Sequence, residues 1–285
     1  MKIKKVAIIG AGLMGHGIAQ VAAQVAGYEV HLKDIKQEFL DKGMGRIKWS
    51  LGKLVEKEKL TQDDVDAVLR KIHPTLDMKT AVGEADIVIE AAPEKLQLKQ
   101  TLFEAFDEFA PDHAILASNT SSISINTIAE ATKQPDKVVG MHFFNPPQIM
   151  RLVEIIRGEK TSDETVAAVV EVSQKMGKET VLCKKDVPGF IVNRVLIPAL
   201  LDAIRLVQDD VASLEDIDKA IQLGLNWPMG PIRLLDYVGL DTTLSITEVF
   251  QKGLDEHRYE TPALLEKMVK EGKLGRKTKQ GFYDW

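Results

Sequence analysis

The chain has 285 residues, enough for about two domains, and its 45% hydrophobic and 28% charged residues exclude a disordered or collagen-like protein. Its formal net charge of −5 comes from interspersed acidic and basic residues, so a nucleic-acid-binding surface is not expected. The single cysteine, Cys183, excludes an internal disulfide and a cysteine-based metal site, and it favours a reducing compartment.

A short apolar run near the N-terminus, Val6–Ile9, predicts a strand that is buried on both faces of a parallel sheet. The run leads into Gly10, Gly12 and Gly15 rather than into a cleavage site, so we do not interpret it as a signal peptide. No stretch approaches the roughly 18 apolar residues of a membrane span. A soluble, cytoplasmic protein without a membrane partner is therefore expected.

Helical and strand patterns alternate through the first part of the chain. A helix from His16 to Ala26 and a strand from Tyr28 to Leu32 complete a β-α-β unit. A charged helical hairpin follows at about 36–72, within which Thr61 and Asp64 match a capping box. Further short strands are predicted at Ile87–Ile89, Ile115–Ala117 and Val138–Gly140, separated by helices such as Glu94–Phe109. This alternation predicts an α/β fold with a Rossmann-type doubly wound sheet.

Only helical patterns remain after Cys183. They cover Ile191–Val207, Leu214–Leu223, Leu234–Phe250 and Pro262–Val269. We therefore predict an α/β domain over residues 1–185 and an all-helical domain over 186–285, with Pro188-Gly189 as a turn near the boundary.

The residues after the first strand, Gly10-Ala11-Gly12-Leu13-Met14-Gly15, fit the G-x-G-x-x-G pattern of a dinucleotide-binding turn. The three glycines allow a tight turn, close approach of the backbone to a pyrophosphate, and close packing of helix on strand. Asp34 lies 19 residues after Gly15, where a carboxylate accepts hydrogen bonds from a ribose diol and repels a 2′-phosphate. The combination predicts NAD rather than NADP, although the adjacent Lys33 weakens this preference. A glycine-rich turn without a ligand is the alternative.

His142 follows a predicted strand, at the end where α/β sheets place their ligands. Glu154 comes 12 residues later within the apparent strand Leu152–Ile156, and Pro146-Pro147 between them leaves room for the chain to turn back. A buried carboxylate needs a partner, and an imidazole is a natural one. The pattern indicates a His142–Glu154 catalytic pair, with structural roles for the two residues as an equal alternative.

Two other polar segments interrupt apolar surroundings. In Ser118-Asn119-Thr120-Ser121-Ser122, one hydroxyl is expected to cap a helix over Ile123–Ala131, which leaves the others to face a ligand. Asn193-Arg194 interrupts an apolar helix at the start of the second domain. An interdomain hydrogen bond and a substrate contact are equally compatible with that position.

Together these motifs resemble the L-3-hydroxyacyl-CoA dehydrogenases, and in length the chain is most similar to the bacterial 3-hydroxybutyryl-CoA dehydrogenases of that family. The resemblance covers essentially the whole chain. It rests on the glycine motif with Asp34, Ala117–Ser122, His142-Phe143-Phe144-Asn145-Pro146, Asp186–Arg194, Asn226–Pro231 and the tail Gly281-Phe282-Tyr283. Two positions depart from the pattern: Lys279 stands where the family commonly has glycine, and Pro147-Gln148-Ile149 replaces a small or proline-rich run.

The resemblance implies site residues for the chemistry and for both ligands. It implies that His142 is the catalytic base, that Glu154 orients it, and that Ser121 and Asn193 contact the substrate. Beyond the glycine motif, the positions that match NAD contacts are Asp34, Glu90, Lys95, Asn119, Ser121, Asn145 and Lys277. Ser50 and Lys57 match CoA contacts, and their spacing of seven residues, two helical turns, places both on one helix face. No metal is implied.

The expected reaction is hydride transfer between NAD and C3 of a short 3-hydroxyacyl-CoA, such as 3-hydroxybutyryl-CoA, with acetoacetyl-CoA as its partner. The helical domain is expected to complete a substrate cleft and to form a homodimer. Two alternatives remain. One is a related hydroxy-acid dehydrogenase that does not use CoA, of the gulonate or carnitine type, and the other is a non-catalytic dinucleotide-binding protein.

Overall fold

An eight-stranded sheet lies at the centre of the first of two units, Met1–Val187 and Pro188–Trp285. The computed structural model describes residues 3–254 and 257–285. The strands are β1 (Lys5–Ile9), β2 (Glu29–Lys33), β3 (Ile72–Thr75), β4 (Ile87–Glu90), β5 (Ile115–Ser118), β6 (Val138–Phe143), β7 (Leu152–Ile156) and β8 (Glu179–Cys183). The helices of this unit are α1 (Gly15–Gln24), α2 (Gln37–Glu56), α3 (Gln62–Arg70), α4 (Met78–Val82), α5 (Leu96–Phe109), α6 (Ile125–Ala129) and α7 (Asp163–Lys175), with a 3₁₀ turn at Pro135–Lys137.

The strand order is β3-β2-β1-β4-β5-β6-β7-β8, and every neighbouring pair is parallel except β6 and β7. The order along the sheet reverses between β1 and β4, and sheets of this type bind ligands at the carboxyl ends of the strands beside such a point. The predicted Rossmann-type fold is confirmed.

The apolar strand runs are buried on both faces of the sheet. Val6 and Ile8 of β1 belong to a core cluster that also contains Ile18 of α1 and Leu40 of α2. Ala7 points to the opposite face, because side chains alternate along a strand, and it is fully buried as well. Burial on both faces explains why these strands are continuous apolar runs in the sequence.

Helices α2 and α3 occupy the segment predicted as a helical hairpin. The Thr61 hydroxyl accepts a hydrogen bond from the Asp64 backbone N–H, and the Asp64 carboxylate accepts one from the Thr61 backbone N–H. The predicted capping box at the start of α3 is therefore confirmed.

Four elements were not predicted: the helices α4 and α7 and the two edge strands, β3 and β8. β3 contains Pro74, which a strand tolerates at a sheet edge because its missing N–H is not needed there. β8 leaves Val181 and Leu182 partly exposed, so it lacks the pattern of a buried strand.

The second unit is helical. Its elements are α8 (Val192–Gln208), α9 (Leu214–Leu225), α10 (Pro231–Val238), α11 (Leu240–Leu254) and α12 (Ala263–Lys270), with 3₁₀ turns at His257–Tyr259 and Arg276–Thr278. The prediction of one helix over Leu234–Phe250 is wrong, because Gly239 adopts φ +104° and separates α10 from α11. Within the described ranges, no helix combines the length and the apolar character needed to cross a bilayer.

Two buried carboxylates hold the C-terminal tail against this helical unit. Asp236 accepts hydrogen bonds from the Tyr283 backbone N–H at 2.8 Å and from the Trp285 indole N–H at 3.0 Å. Asp218 accepts one from the Tyr283 hydroxyl at 2.9 Å. The Tyr283 pKa is raised, first by burial and then by this hydrogen bond to a carboxylate. The phenol therefore stays protonated and keeps donating.

Candidate active site

The glycine motif forms a close turn between β1 and α1. Gly10 adopts φ +108°, and a Cβ at this position would lie 2.6 Å from the Ala91 carbonyl oxygen. A Cβ on Gly15 would collide with the Gly10 carbonyl. A Cβ on Gly12 would meet nothing within 4 Å, so the backbone there borders open space. Gly10 and Gly15 are thus needed for the turn, whereas Gly12 leaves room for a pyrophosphate at the start of α1.

Asp34 lies just after β2 and is fixed by the backbone around it. Its Oδ2 accepts a hydrogen bond from the Ala11 N–H at 2.7 Å, and its Oδ1 accepts one from the Ile35 N–H at 2.6 Å. The carboxylate borders a cavity of about 400 Å³, whose mainly apolar lining includes Phe39 and Leu98. Each carboxylate oxygen can still accept a further hydrogen bond, so Asp34 can bind a ribose diol. The apolar walls of the cavity suit an adenine ring. These features fit the adenosine half of NAD.

His142 and Glu154 are brought together by the register of two neighbouring strands. β6 and β7 are antiparallel, and His142 lies directly opposite Glu154. The distance between His142 Nδ1 and Glu154 Oε2 is 2.7 Å, and Glu154 is fully buried. The imidazole thus supplies the partner that the buried carboxylate requires. Because this hydrogen bond occupies Nδ1, proton exchange with a substrate would use Nε2.

A buried lysine holds the loop that follows His142. The Lys178 ammonium donates to the Pro147 carbonyl at 2.5 Å and to the Met150 carbonyl at 2.8 Å. Burial lowers the Lys178 pKa. Sequence reasoning missed this contact, because both carbonyls lie about thirty residues away along the chain.

Glu94 organises the polar segment after β5. Its Oε1 accepts the backbone N–H of Ser121 at 2.9 Å, the backbone N–H of Ser122 at 3.1 Å, and the Thr120 hydroxyl at 2.5 Å. Burial by itself would raise the Glu94 pKa, but the charge of Lys99 and these hydrogen-bond donors outweigh it and lower the pKa. Glu94 therefore stays ionised and fixes the backbone at Ser121.

The helix cap predicted within Ser118–Ser122 is wrong. α6 begins at Ile125, two residues later than expected, and the Ser124 hydroxyl caps it by accepting from the Thr127 backbone N–H at 3.2 Å. The Thr120 hydroxyl instead accepts the Ile123 backbone N–H at 2.8 Å within the preceding turn.

Glu90 and Lys99 form a buried ion pair behind this segment. Lys99 Nζ lies 2.7 Å and 2.8 Å from the two carboxylate oxygens of Glu90, and 3.2 Å from Glu94 Oε2. The Ser118 hydroxyl also donates to Glu90, at 2.6 Å. Glu90 is fully buried, whereas Lys95, another of the residues matched to NAD, is exposed at the start of α5. Their contacts with NAD stay predictions.

Sequence reasoning missed Glu94 and Lys99. The available signal was the spacing of Lys99, Phe103 and Phe106, which share the buried face of α5. A lysine on such a face needs a buried partner, and the carboxylates that precede the helix supply it.

The remaining predicted site residues lie on several different elements. Asn119 Oδ1 accepts the Phe143 backbone N–H at 2.8 Å and so joins the ends of β5 and β6. Asn145 is exposed. In the second unit, Asn193 lies in the first turn of α8, and Lys277 forms an ion pair with Asp241.

The two residues matched to CoA lie on α2. Ser50 is half-buried in the helix, and Lys57 is exposed at its C-cap. For the part of the chain that the structure covers, no group of three His, Cys, Asp or Glu side chains could hold a metal ion.

Two family models match successive parts of the chain. The model described as "3-hydroxyacyl-CoA dehydrogenase, NAD binding domain" matches residues 5–187, and the one described as "3-hydroxyacyl-CoA dehydrogenase, C-terminal domain" matches residues 189–285. The chain belongs to the 3-hydroxyacyl-CoA dehydrogenase family. It is an NAD-dependent oxidoreductase, so the predicted cofactor and enzyme class are confirmed.

Similar members of the 3-hydroxyacyl-CoA dehydrogenase family come from bacteria and animals. A probable 3-hydroxybutyryl-CoA dehydrogenase of Deinococcus radiodurans is 50% identical over 99% of this chain and 100% of that protein. The mitochondrial hydroxyacyl-coenzyme A dehydrogenase of Homo sapiens is 45% identical over 99% of this chain and 91% of its own length. Among solved structures, (S)-3-hydroxybutyryl-CoA dehydrogenase PaaH1 from Ralstonia eutropha matches with a TM-score of 0.95 and 43% identity, over 100% of this chain and 99% of that one.

Proposed function

We propose that this dehydrogenase interconverts 3-hydroxybutyryl-CoA and acetoacetyl-CoA, with His142 and Glu154 acting together as its acid–base pair. The observation that carries the proposal is the 2.7 Å hydrogen bond between His142 Nδ1 and the fully buried Glu154 carboxylate. The relatives named 3-hydroxybutyryl-CoA dehydrogenase support a short acyl chain.

The proton chemistry follows from this hydrogen bond. NAD, when bound, accepts the hydride that leaves C3 of the substrate. The 3-hydroxyl must lose its proton in the same step, and His142 accepts it at Nε2. Glu154 holds the proton of the neutral ring on Nδ1 and stabilises the imidazolium that results. In the reverse direction, the imidazolium donates the proton to the ketone oxygen.

Ser121 is proposed to donate a hydrogen bond to the reacting oxygen. Its backbone N–H is held by Glu94 Oε1 at 2.9 Å, and Glu94 in turn lies 3.2 Å from Lys99. A fixed backbone limits how far the hydroxyl can move from a productive position. The substrate contact of Asn193 remains a prediction from the family resemblance.

The glycine turn and Asp34 are proposed to hold the dinucleotide, with the pyrophosphate at Gly12 and a ribose diol on the carboxylate. Asn145 and Lys277 are further NAD contacts predicted from the resemblance.

We also propose that the protein is a homodimer formed through residues 186–285. In the single chain, this helical unit exposes Val195 (72%), Leu223 (77%) and Leu225 (61%), which are apolar side chains that a partner subunit would cover. Sedimentation equilibrium should show a dimer, and a stable monomer at micromolar concentration would reject the proposal.

NADH consumption with acetoacetyl-CoA and with free acetoacetate tests the proposed substrate. We expect turnover of the thioester and little or none of the free acid. The opposite preference would favour the dehydrogenases that do not use CoA. Binding of NADH without turnover of either compound would favour a non-catalytic dinucleotide-binding protein.

A further inference from the structure

Helix α2 presents an exposed tryptophan to solvent. Trp49 is 68% exposed, although an indole has a large apolar surface and is usually well buried in a folded protein. The buried residues of the same helix, among them Leu40, Ile47 and Leu51, lie on its other side. Trp49 therefore contributes nothing to the core of the first unit.

Basic residues lie on the same face of α2 as Trp49. Arg46 precedes it by three residues, and Lys53 and Lys57 follow it by four and eight, which are the spacings of neighbours along one helix face. Ser50 borders the same face. At 1.5 Å per residue, the stripe from Arg46 to Lys57 is about 16 Å long, enough for phosphates on both sides of a nucleoside.

Two of these cations are available to an anion. Lys53 is paired with Glu56 at 2.6 Å. Arg46 and Lys57, by contrast, have no carboxylate within 4.0 Å among the residues that the structure describes. Unpaired guanidinium and ammonium groups on either side of an aromatic ring suit a phosphorylated nucleoside, because the ring stacks on the base while the cations bind the phosphates.

The stripe begins where the dinucleotide cavity ends. Arg46 lines that cavity together with Asp34 and Phe39, whereas Trp49, one turn further along α2, does not. The proposed site for the adenosine of NAD is at Asp34 and does not include Trp49. Trp49 is therefore available to a second nucleotide. CoA, which carries a 3′-phosphorylated adenosine diphosphate, is a second nucleotide of that kind.

We propose that Trp49 stacks on the adenine ring of the CoA substrate and that Arg46 binds its phosphates together with Lys57, the CoA contact that the family resemblance already implies. The inference rests on the proposed function, because it takes a CoA thioester as the substrate. It assigns Trp49 as a specificity residue for the nucleotide end of the substrate, remote from the acyl group.

Steady-state kinetics with acetoacetyl-CoA and with acetoacetyl-pantetheine, which lacks the nucleotide, test the proposal. Trp49→Ala should raise the KM for the CoA thioester on the order of 10-fold relative to the KM for the pantetheine thioester. Trp49→Phe, which keeps an aromatic face, should recover most of the loss. Lys57→Ala should show the same selectivity as Trp49→Ala. Lys48→Ala, which removes an exposed lysine from a different face of α2, is the matched control and should not show it.

An equal change in KM for both thioesters, or no change for either, would overturn the assignment of Trp49. Failure of the proposed function looks different, because the unmodified enzyme would then turn over neither thioester. Tryptophan fluorescence gives a second measurement: CoA alone should quench the emission of the unmodified protein more than that of Trp49→Phe. If CoA leaves this emission unchanged and Trp49→Ala instead alters the oligomeric state, Trp49 belongs to a protein interface and the proposal is wrong.

Discussion

Replacing Lys99 with methionine should strongly destabilise the first unit, because it leaves a carboxylate buried without its cation. Lys99 is 1% exposed and Glu90 is fully buried, and Lys99 Nζ lies within 2.8 Å of both Glu90 oxygens. Removing one partner of such a pair costs about 3–5 kcal/mol. That is a large part of the roughly 5–15 kcal/mol by which domains are stable. For a unit of this size, the loss corresponds to a fall in Tm of about 6–20 °C.

Urea unfolding followed by circular dichroism measures this loss. Lys95→Met is the matched control, because it removes an exposed lysine one turn earlier in the chain and should change the free energy of unfolding little. A Glu90→Gln and Lys99→Met double variant should regain part of the lost stability, since the neutral amide needs no cation and its oxygen can still accept from Ser118. Unfolding of Lys99→Met and Lys95→Met at the same urea concentration would show that the Glu90 carboxylate does not depend on its buried cation.

Three further predictions address the cofactor, the tail and the cysteine. Asp34→Ala should lower kcat/KM for NADH more than for NADPH, and equal values for the two cofactors in the unmodified enzyme would contradict the role of this carboxylate. Lys279 adopts φ +60°, so Lys279→Gly should raise the Tm of the second unit by relieving roughly 1 kcal/mol of backbone strain, whereas an unchanged Tm would exclude such strain. Burial raises the pKa of the Cys183 thiol, so iodoacetamide should alkylate the native protein far more slowly than the urea-unfolded protein at mildly alkaline pH, and equal rates would disprove it.

The features that were predictable from the sequence are those with a local signal. The glycine turn and the Thr61 cap each depend on residues close together in the chain, and Asp34 follows the glycine turn at the spacing expected for a dinucleotide-binding β-α-β unit. The His142–Glu154 contact depends on a register, but a register between two strands joined by a short loop is nearly local too. A buried carboxylate on the second strand was enough to suggest its partner.

The features that were missed depend on contacts between distant segments. Glu94 reaches across to the backbone of Ser121 and Ser122, 27 and 28 residues away, and Lys178 reaches back 31 residues to Pro147. In sequence, Glu94 and Lys178 look like ordinary surface charges. Only the folded sheet shows that each one satisfies backbone groups of a loop beside the candidate active site.

The edges of the sheet and the helix ends were missed for a different reason. β3 and β8 each pair with a neighbouring strand on one side only, so their residues need not all be apolar. These strands therefore lack the continuous apolar run that identifies a buried strand. The break at Gly239 was overlooked because a glycine inside an apolar helical pattern is often tolerated.

A double-mutant cycle on kcat tests most directly whether His142 and Glu154 act as one acid–base unit. His142→Gln should lower kcat on the order of 10²- to 10⁴-fold with NADH affinity nearly unchanged, the usual range for a positioned acid–base group. Glu154→Gln should also slow turnover, because an amide does not stabilise the imidazolium. If the two residues act together, the double variant should lose about as much kcat as His142→Gln alone. If the two losses instead multiply independently, the residues do not act as a unit and the proposed mechanism is wrong.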